Sequence, residues 1–162
     1  MKRLLSIISL ILVLCCLLGV FAACPINDNQ GGGQNGDDDQ NNSDNEVISM
    51  KITIGNKEFT ATLYDTAAAQ AFAKLLPLTL DMSELNGNEK YNYMSTTLPT
   101  KTESVGKINA GDIMLYGNSC IVLFYKSFST AYSYTKIGKI DNVTGLQQAV
   151  GSGSVTVTFQ AK

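Results

Sequence analysis

The sequence contains no His and no Trp among its 162 residues, and its only Arg is Arg3. Without imidazole groups the chain cannot form a Ser-His-Asp or Cys-His nucleophile, a His-ligated zinc site or an imidazole acid–base catalyst. A formal charge of −2 also argues against the basic face of a nucleic-acid-binding protein, so nucleic acid is not an expected partner. The length itself predicts one domain of modest size.

Residues 1–23 have the layout of a secretory signal peptide. A positive start at Lys2-Arg3 and an almost wholly apolar run over residues 4–21 precede two alanines and Cys24. The run Phe21-Ala22-Ala23-Cys24 resembles the lipobox of bacterial lipoproteins. That resemblance implies that the Cys24 thiol is lipidated and that cleavage leaves Cys24 as the new N-terminus. An uncleaved anchor helix is the alternative, because about 18 apolar residues just span a bilayer.

Both alternatives place the rest of the chain on the extracytoplasmic face of a bacterial membrane, with the membrane as a partner through the N-terminus. Cleavage would remove Cys15 and Cys16 and leave the lipidated Cys24 and Cys120. We therefore expect no intramolecular disulfide, although this compartment would permit one.

Residues 24–46 are predicted to be the lipidated Cys24 followed by a disordered tether. From Pro25 to Glu46 the segment is almost entirely Asn, Gln, Gly, Asp and Ser, and Ile26 is its single large apolar side chain. Such a composition cannot bury enough apolar surface to offset the entropy of ordering. The expected root-mean-square reach of the tether is about 25 Å.

The tether also carries the residue spacing of a calcium-binding loop over residues 35–46. Gln40 stands where the sharp turn of that loop needs Gly, and no helical pattern flanks the segment. We therefore predict no metal site, and no cofactor is expected.

Residues 47–162 are predicted to form the folded domain, which begins with a β-hairpin. Ile52 and Ile54 alternate with polar residues before Gly55-Asn56, and Phe59, Ala61 and Leu63 alternate after it. A short helix is expected over residues 67–76, with Asp65-Thr66 as its N-cap and Pro77 ending it. Its inner face carries apolar residues at helical spacing, namely Phe72, Leu75 and Leu76.

The second half of the domain continues with β-type patterns. Asn86-Gly87 predicts a turn, and residues 117–119 predict a tight hairpin between strands 113–116 and 120–125. Other strands are expected over residues 78–82, 136–140 and 155–159, with a helical turn or two over residues 144–150 closed by Gly151. Seven or eight strands with two short helices favour a mainly β barrel or sandwich, because closure removes exposed edges.

The order of these elements resembles the cyclophilin-like fold proteins of bacteria. The resemblance covers about residues 48–159, and it is carried by six segments. They are Ile52-Thr53-Ile54, Phe59-Thr60-Ala61-Thr62-Leu63, Leu76-Pro77-Leu78-Thr79-Leu80-Asp81-Met82, Ala110-Gly111-Asp112-Ile113, Ile121-Val122-Leu123-Phe124-Tyr125 and Tyr134-Thr135-Lys136-Ile137-Gly138-Lys139-Ile140. It implies a closed, largely antiparallel eight-stranded barrel with two short capping helices.

Resemblance to the true cyclophilins would imply peptidyl-prolyl isomerisation, which relies on an Arg that hydrogen-bonds the substrate. Lys is not an equivalent donor, and cleavage of the signal would remove Arg3. The chain also lacks the His and Trp that usually line that pocket. We therefore predict no catalytic residues and a barrel that binds a peptide segment or a small apolar ligand. A weak or specialised prolyl isomerase acting on exported proteins, and a structural accessory subunit, remain as alternatives.

Aromatic residues are concentrated between Tyr116 and Tyr134, where they are six of nineteen residues. Together with residues 91–94 they could line an apolar groove whose hydroxyl groups orient a ligand. The residues predicted to contact the ligand are Tyr93, Met94, Phe128, Tyr132 and Tyr134. The alternative is that these side chains fill the barrel. Cys120 begins an apolar strand and is expected to be a buried structural thiol, and the protein is expected to be a monomer.

Overall fold

The structure is a computed structural model, and it describes residues 48–162. The predicted signal peptide, Cys24 and the tether lie outside the described residues. The described residues all belong to one compact unit. Its helices are α1 (Ala67–Ala73) and α2 (Leu146–Val150). Its strands are β1 (Ser49–Ile54), β2 (Lys57–Leu63), β3 (Leu78–Leu85), β4 (Glu89–Tyr93), β5 (Glu103–Ser104), β6 (Lys107–Ile108), β7 (Asp112–Tyr116), β8 (Cys120–Phe124), β9 (Phe128–Ser129), β10 (Ser133–Ile140) and β11 (Val155–Ala161).

Tight turns set the first antiparallel pairings, as the sequence predicts. Gly55 adopts a φ of 58° between β1 and β2. Asn86 and Gly87 adopt φ values of 57° and 69° between β3 and β4. Gly takes these left-handed conformations at no steric cost, and Asn tolerates them better than most residues. The turns place Ile54 opposite Lys57 and Leu85 opposite Glu89.

Eight strands form a closed antiparallel barrel. Their order is β2-β1-β11-β3-β4-β8-β7-β10, and β10 pairs back onto β2 to close the ring. Strand β5 adds to β10 outside this ring, and β6 pairs with β9 as a separate two-stranded ribbon. The predicted eight-stranded barrel with two short helices is confirmed, and closure leaves none of its eight strands as a free edge.

The barrel interior is one apolar core. Alternate residues of the strands enter it, as the patterns of β1 and β11 predict, with Ile52 and Phe159 fully buried. Phe72 of α1 packs edge-to-face on Phe159, with ring centroids 5.5 Å apart. Helix α2 adds Leu146 and Val150 to the same core. Both helices are thus held by the barrel core, since neither is long enough to be stable alone.

Helix α1 begins at Ala67 as predicted but ends earlier than predicted. Its N-cap is Thr66, whose Oγ1 accepts the Ala69 N–H at 3.1 Å, whereas Asp65 instead accepts a hydrogen bond from the Gln70 side chain. The helix ends at Ala73 rather than at residue 76. The Leu75 N–H bonds to the Phe72 carbonyl at 3.0 Å, so the chain leaves the helix through a tighter turn before Pro77.

Several strands also differ from their predictions. Strand β3 extends to Leu85 and β10 starts at Ser133, and β4 has no counterpart among the predicted strands. The short strands β5, β6 and β9 were not predicted either. In β4 the sequence places Glu89 and Lys90 side by side, and both are buried. Charged residues are almost never fully buried unless they are paired, so the sequence pattern of this segment does not predict a strand.

Closure of the barrel depends on Gly138. Strand β10 bulges between Lys136 and Gly138, so that both Ile137 and Ile140 reach the core. Gly138 faces Leu63 of β2, and a Cβ there would lie 2.5 Å from the Thr62 carbonyl oxygen. Only a residue without a side chain allows this approach of the two backbones.

A buried ion pair ties one end of the barrel together. Lys90 is fully buried, and its Nζ donates to Glu84 Oε2 and to the carbonyl oxygens of Gly151 and Gly153. These acceptors satisfy all three ammonium donors. The Tyr125 hydroxyl donates to the Glu84 carboxylate at 2.9 Å. Burial alone would raise the pKa of Glu84, but the hydrogen bonds from Lys90 and Tyr125 lower it below its usual value.

We expect Gly138→Ala to destabilise the protein by about 1–3 kcal/mol, because the added methyl group pushes β10 away from β2. Gly153→Ala is the matched control, since a Cβ at Gly153 meets no atom within 4 Å. Urea unfolding of residues 42–162 measures both free energies. Equal losses for the two variants would contradict a steric requirement at the closure.

We expect Lys90→Met to cost about 3 kcal/mol or more, because it leaves a carboxylate and two carbonyl oxygens without their donor. Lys51→Met is the control: it removes the exposed Lys51–Glu58 pair and should cost less than about 1 kcal/mol. The measurement is again urea unfolding. A cost for Lys90→Met as small as that of the control would show that the buried pair is not holding this end of the barrel.

Candidate functional site

Strand β8 is buried on both of its faces. Ile121 and Leu123 enter the barrel core, whereas Cys120, Val122 and Phe124 belong to a second apolar cluster on the outside of the barrel. This outer cluster also includes Ile108 of β6, Met114 of β7 and Tyr134 of β10. The excursion of the chain through β5, β6 and β9 therefore covers part of a sheet face that would otherwise meet solvent.

A cavity of about 280 Å³ opens beside this outer cluster. We call it the tyrosine pocket, because five of its ten lining residues are tyrosines. The lining residues are Leu85, Asn86, Glu89, Tyr91, Tyr93, Tyr116, Cys120, Val122, Tyr132 and Tyr134. They come from β3, β4, β7, β8 and β10, with the turn after β3 and the loop before β10.

Strand register explains how the pocket is built. Tyr93 and Tyr116 lie on either side of Cys120 across the neighbouring strands β4, β8 and β7. Tyr91 lies next to Val122 in the same way. Cys120 and Val122 are buried, so they form the floor of the pocket, and the tyrosines stand around them.

The tyrosine rings are oriented in several directions. Tyr116 meets Tyr132 edge-to-face at 6.2 Å and Tyr134 at 5.7 Å with a tilt of 54°. Tyr91 meets Tyr93 edge-to-face at 6.0 Å. These are the separations at which aromatic pairs attract, so the rings support one another while still presenting faces and hydroxyl groups to the cavity.

Most of the large apolar side chains that are exposed in the described chain surround this pocket. Five large apolar or aromatic side chains are exposed in residues 48–162, and four of them line it. Those four are Leu85, Tyr93 at 66% exposure, Tyr116 and Tyr132 at 64% exposure. A cluster of exposed apolar residues marks a binding surface more often than single scattered ones do.

Every ionisable group of the pocket whose pKa is shifted has a pKa above its usual value. Burial, with the charge of Glu84, raises the pKa of Glu89. Burial and the charge of Glu89 raise the pKa of Tyr134 to about 12. Burial also raises the pKa of the Cys120 thiol, which is therefore a poor nucleophile. The ten lining residues include no Lys, Arg or His.

Three of the predicted ligand residues meet in the pocket, namely Tyr93, Tyr132 and Tyr134. The other two lie elsewhere. Met94 is buried in the barrel core, and Phe128 packs against Phe124 with ring centroids 5.8 Å apart. Cys120 is buried and free, as expected for a structural thiol. Cys24, the predicted lipidation site, lies outside the described residues.

The prediction missed Cys120, Val122, Leu85, Asn86 and Glu89 as members of the site. One signal in the sequence could have found the last of these. Glu89, Tyr91 and Tyr93 alternate directly after the Asn-Gly turn, and in a strand alternate residues share one face.

Two other cavities are lined mainly by groups that already have partners. A cavity of about 650 Å³ lies between the start of α1 and residues 99–103, where Lys136 pairs with Glu103 at 2.8 Å. A cavity of about 300 Å³ lies over Glu84 and Tyr125, which bond to each other. Within residues 48–162 no group of His, Cys, Asp and Glu side chains could hold a metal ion. No helix in that range is both long and apolar enough to cross a membrane.

The family comparison agrees with this architecture. A family model described as "Cyclophilin-like family" matches residues 52–160. The solution structure of the hypothetical protein AF2241 from Archaeoglobus fulgidus is similar at 20% identity, covering 72% of this chain and 95% of that chain with a TM-score of 0.49. No curated protein matches the sequence. Because the family match spans well over half of the chain and falls on the closed barrel, the chain belongs to the cyclophilin-like family.

Proposed function

We propose that this protein is a membrane-tethered bacterial lipoprotein whose barrel binds a peptide segment or a small apolar ligand in the tyrosine pocket, without strong catalysis. One observation carries the binding part of the proposal: exposed apolar side chains concentrate around a single cavity. Leaving Tyr93 and Tyr132 about two-thirds exposed costs hydrophobic stabilisation that burial would provide. A ligand that covers these rings recovers that stabilisation.

The chemistry of the pocket supports binding more than catalysis. The Cys120 thiol has no cation or imidazole beside it among the lining residues, and its pKa is raised. The lining residues also provide no cationic donor for a charge that develops in a transition state. Tyrosine rings, in contrast, give large contact areas with little loss of side-chain freedom on binding.

Membership of a cyclophilin-like family favours a second function, weak or specialised prolyl isomerisation of exported proteins. Residues 48–162 contain no Arg to hydrogen-bond the twisted prolyl amide. The barrier of the uncatalysed reaction is about 18–20 kcal/mol, so a pocket without that donor provides little acceleration.

Export and tethering rest on the sequence pattern of residues 1–46. The lipobox-like run ending at Cys24 and the polar segment after it suit a barrel held a short distance from a membrane. A tether of this length would give the pocket a working radius of about 25 Å around its anchor.

We expect Tyr132→Ala to weaken ligand binding by about tenfold, as removal of a central aromatic contact does. The assay is an NMR titration of ¹⁵N-labelled residues 42–162 with prolyl peptides, and we expect shifts localised at residues 91–93, 116 and 132–134. Val143→Ala is the control, because Val143 is the exposed apolar side chain outside the pocket. Exchange between cis and trans peptide signals would instead support the isomerase. Absence of any shift would contradict ligand binding and favour an accessory subunit.

We expect labelled palmitate to be incorporated into the full-length chain in a bacterial host and to be lost in Cys24→Ala, since that thiol is the proposed acceptor. Cys16→Ala should keep the label, because Cys16 lies within the segment that cleavage removes. Incorporation that persists in Cys24→Ala would disprove lipidation at this residue.

A further inference from the structure

Glu89 is a largely buried residue whose carboxyl group makes no ion pair or hydrogen bond within the described part of the chain. It is 8% exposed and lines the tyrosine pocket. The three ion pairs within residues 48–162 use Glu58, Glu84 and Glu103 instead. None of the side-chain hydrogen bonds in that range ends on Glu89. A buried carboxylate is either paired or kept neutral by a raised pKa, and burial raises the pKa of Glu89, so a cation beside it would stabilise its charged form.

The tether cannot supply that partner. Residues 24–47 contain no Lys, Arg or His, so they hold no cationic side chain that could reach the pocket. The Lys90 ammonium is the neighbour of Glu89 in sequence, but it points into the barrel, where Glu84 and two carbonyl oxygens hold it. Neither the tether nor Lys90 therefore provides a cation for Glu89.

The walls of the pocket suit a positive group. The face of a tyrosine ring carries partial negative charge and attracts an ammonium group within about 6 Å of its centre. Five tyrosines surround the cavity, and Glu89 is the only formally charged residue in its lining. Burial raises the pKa of Tyr134 to about 12, and its neutral hydroxyl oxygen can accept a hydrogen bond from an ammonium group.

The same features exclude other ligand classes. With no Lys or Arg in its lining and Glu89 within it, the pocket offers a carboxylate or a phosphate no cationic partner. Its volume of about 280 Å³ is close to the lower limit of small-molecule sites, so it holds one side chain or a small amine.

We propose that the tyrosine pocket binds an alkylammonium group, with the Glu89 carboxylate as its counter-ion and the tyrosine faces as its walls. This inference rests on the proposed function, because it specifies the charge of the ligand that the pocket takes. A lysine side chain presented by a peptide and a small quaternary amine share this chemistry.

Four probes test the proposal on ¹⁵N-labelled residues 42–162. Choline and N-acetyl-lysine amide carry the cation, and their uncharged counterparts are 3,3-dimethyl-1-butanol and N-acetyl-norleucine amide. We expect at least one cation to bind about tenfold more tightly than its uncharged counterpart, with shifts at Glu89, Tyr93 and Tyr116. A preference for choline indicates a small quaternary amine, and a preference for the lysine amide indicates a peptide side chain.

Glu89→Gln should weaken binding of the preferred cation by about tenfold and change binding of its uncharged counterpart by less than about twofold. The control is Glu103→Gln, which alters an exposed carboxylate outside the pocket and should leave both affinities unchanged. A measurement on the unmodified chain gives a second test: bound cation should lower the pKa of Glu89, followed through its side-chain carboxyl carbon.

Equal binding of cations and uncharged counterparts, or an unaltered Glu89 pKa on cation binding, would overturn the cation proposal and leave the proposed binding function standing. Shifts with none of these probes and none of the prolyl peptides would overturn both. Loss of all binding in Glu89→Gln, with the uncharged probe lost as well, would also overturn the proposal, because it would show that Glu89 supports the pocket structurally.

Discussion

The approach of β10 to β2 is the contact on which the rest of the structure depends, because it closes the barrel. Gly138 makes it possible: the Thr62 carbonyl occupies the space that a side chain would need. The bulge beside Gly138 lets β10 place both Ile137 and Ile140 in the core. The other end of β10, its N-terminal end, pairs with β5 outside the ring. That other end carries Tyr134 onto the outer face, so the strand that closes the barrel also contributes a wall of the pocket.

The pocket follows from a second constraint, the burial of β8 on both faces. Strand β8 has five consecutive apolar residues, so its outer face is exposed unless another element covers it. The β6–β9 ribbon covers that face at Phe124, because Phe128 of β9 packs against the Phe124 ring. The cover does not reach the far end of the strand. Cys120 and Val122 belong both to the outer cluster and to the floor of the tyrosine pocket. The site is therefore the uncovered margin of an apolar layer, which explains why its exposed residues are aromatic and not polar.

Local sequence signals predicted the elements whose causes are local, and they failed where the cause lies in distant residues. The Gly55 and Asn86-Gly87 turns and the alternation in β1 and β11 act over a few residues, and all are found in the structure. Strand β4 depends on partners far along the chain, since Lys90 is accepted by Gly151 and Gly153. The same limit applies to the site. Tyr93 and Met94 are adjacent in an aromatic-rich segment, but only the register of β4 on β8 decides that Tyr93 faces the pocket and Met94 the core.

Glu89 and Lys90 are neighbouring charged residues of β4 with different roles: Lys90 stabilises the fold, and Glu89 belongs to the candidate site. The two residues are adjacent, both are buried, and because strand side chains alternate they face opposite sides of the barrel wall. Lys90 has its full set of acceptors within the protein, so its burial stabilises the fold. Glu89 accepts no hydrogen bond from the described residues, and burial raises its pKa. Leaving Glu89 open toward a ring of tyrosines makes sense if its partner arrives from outside the chain.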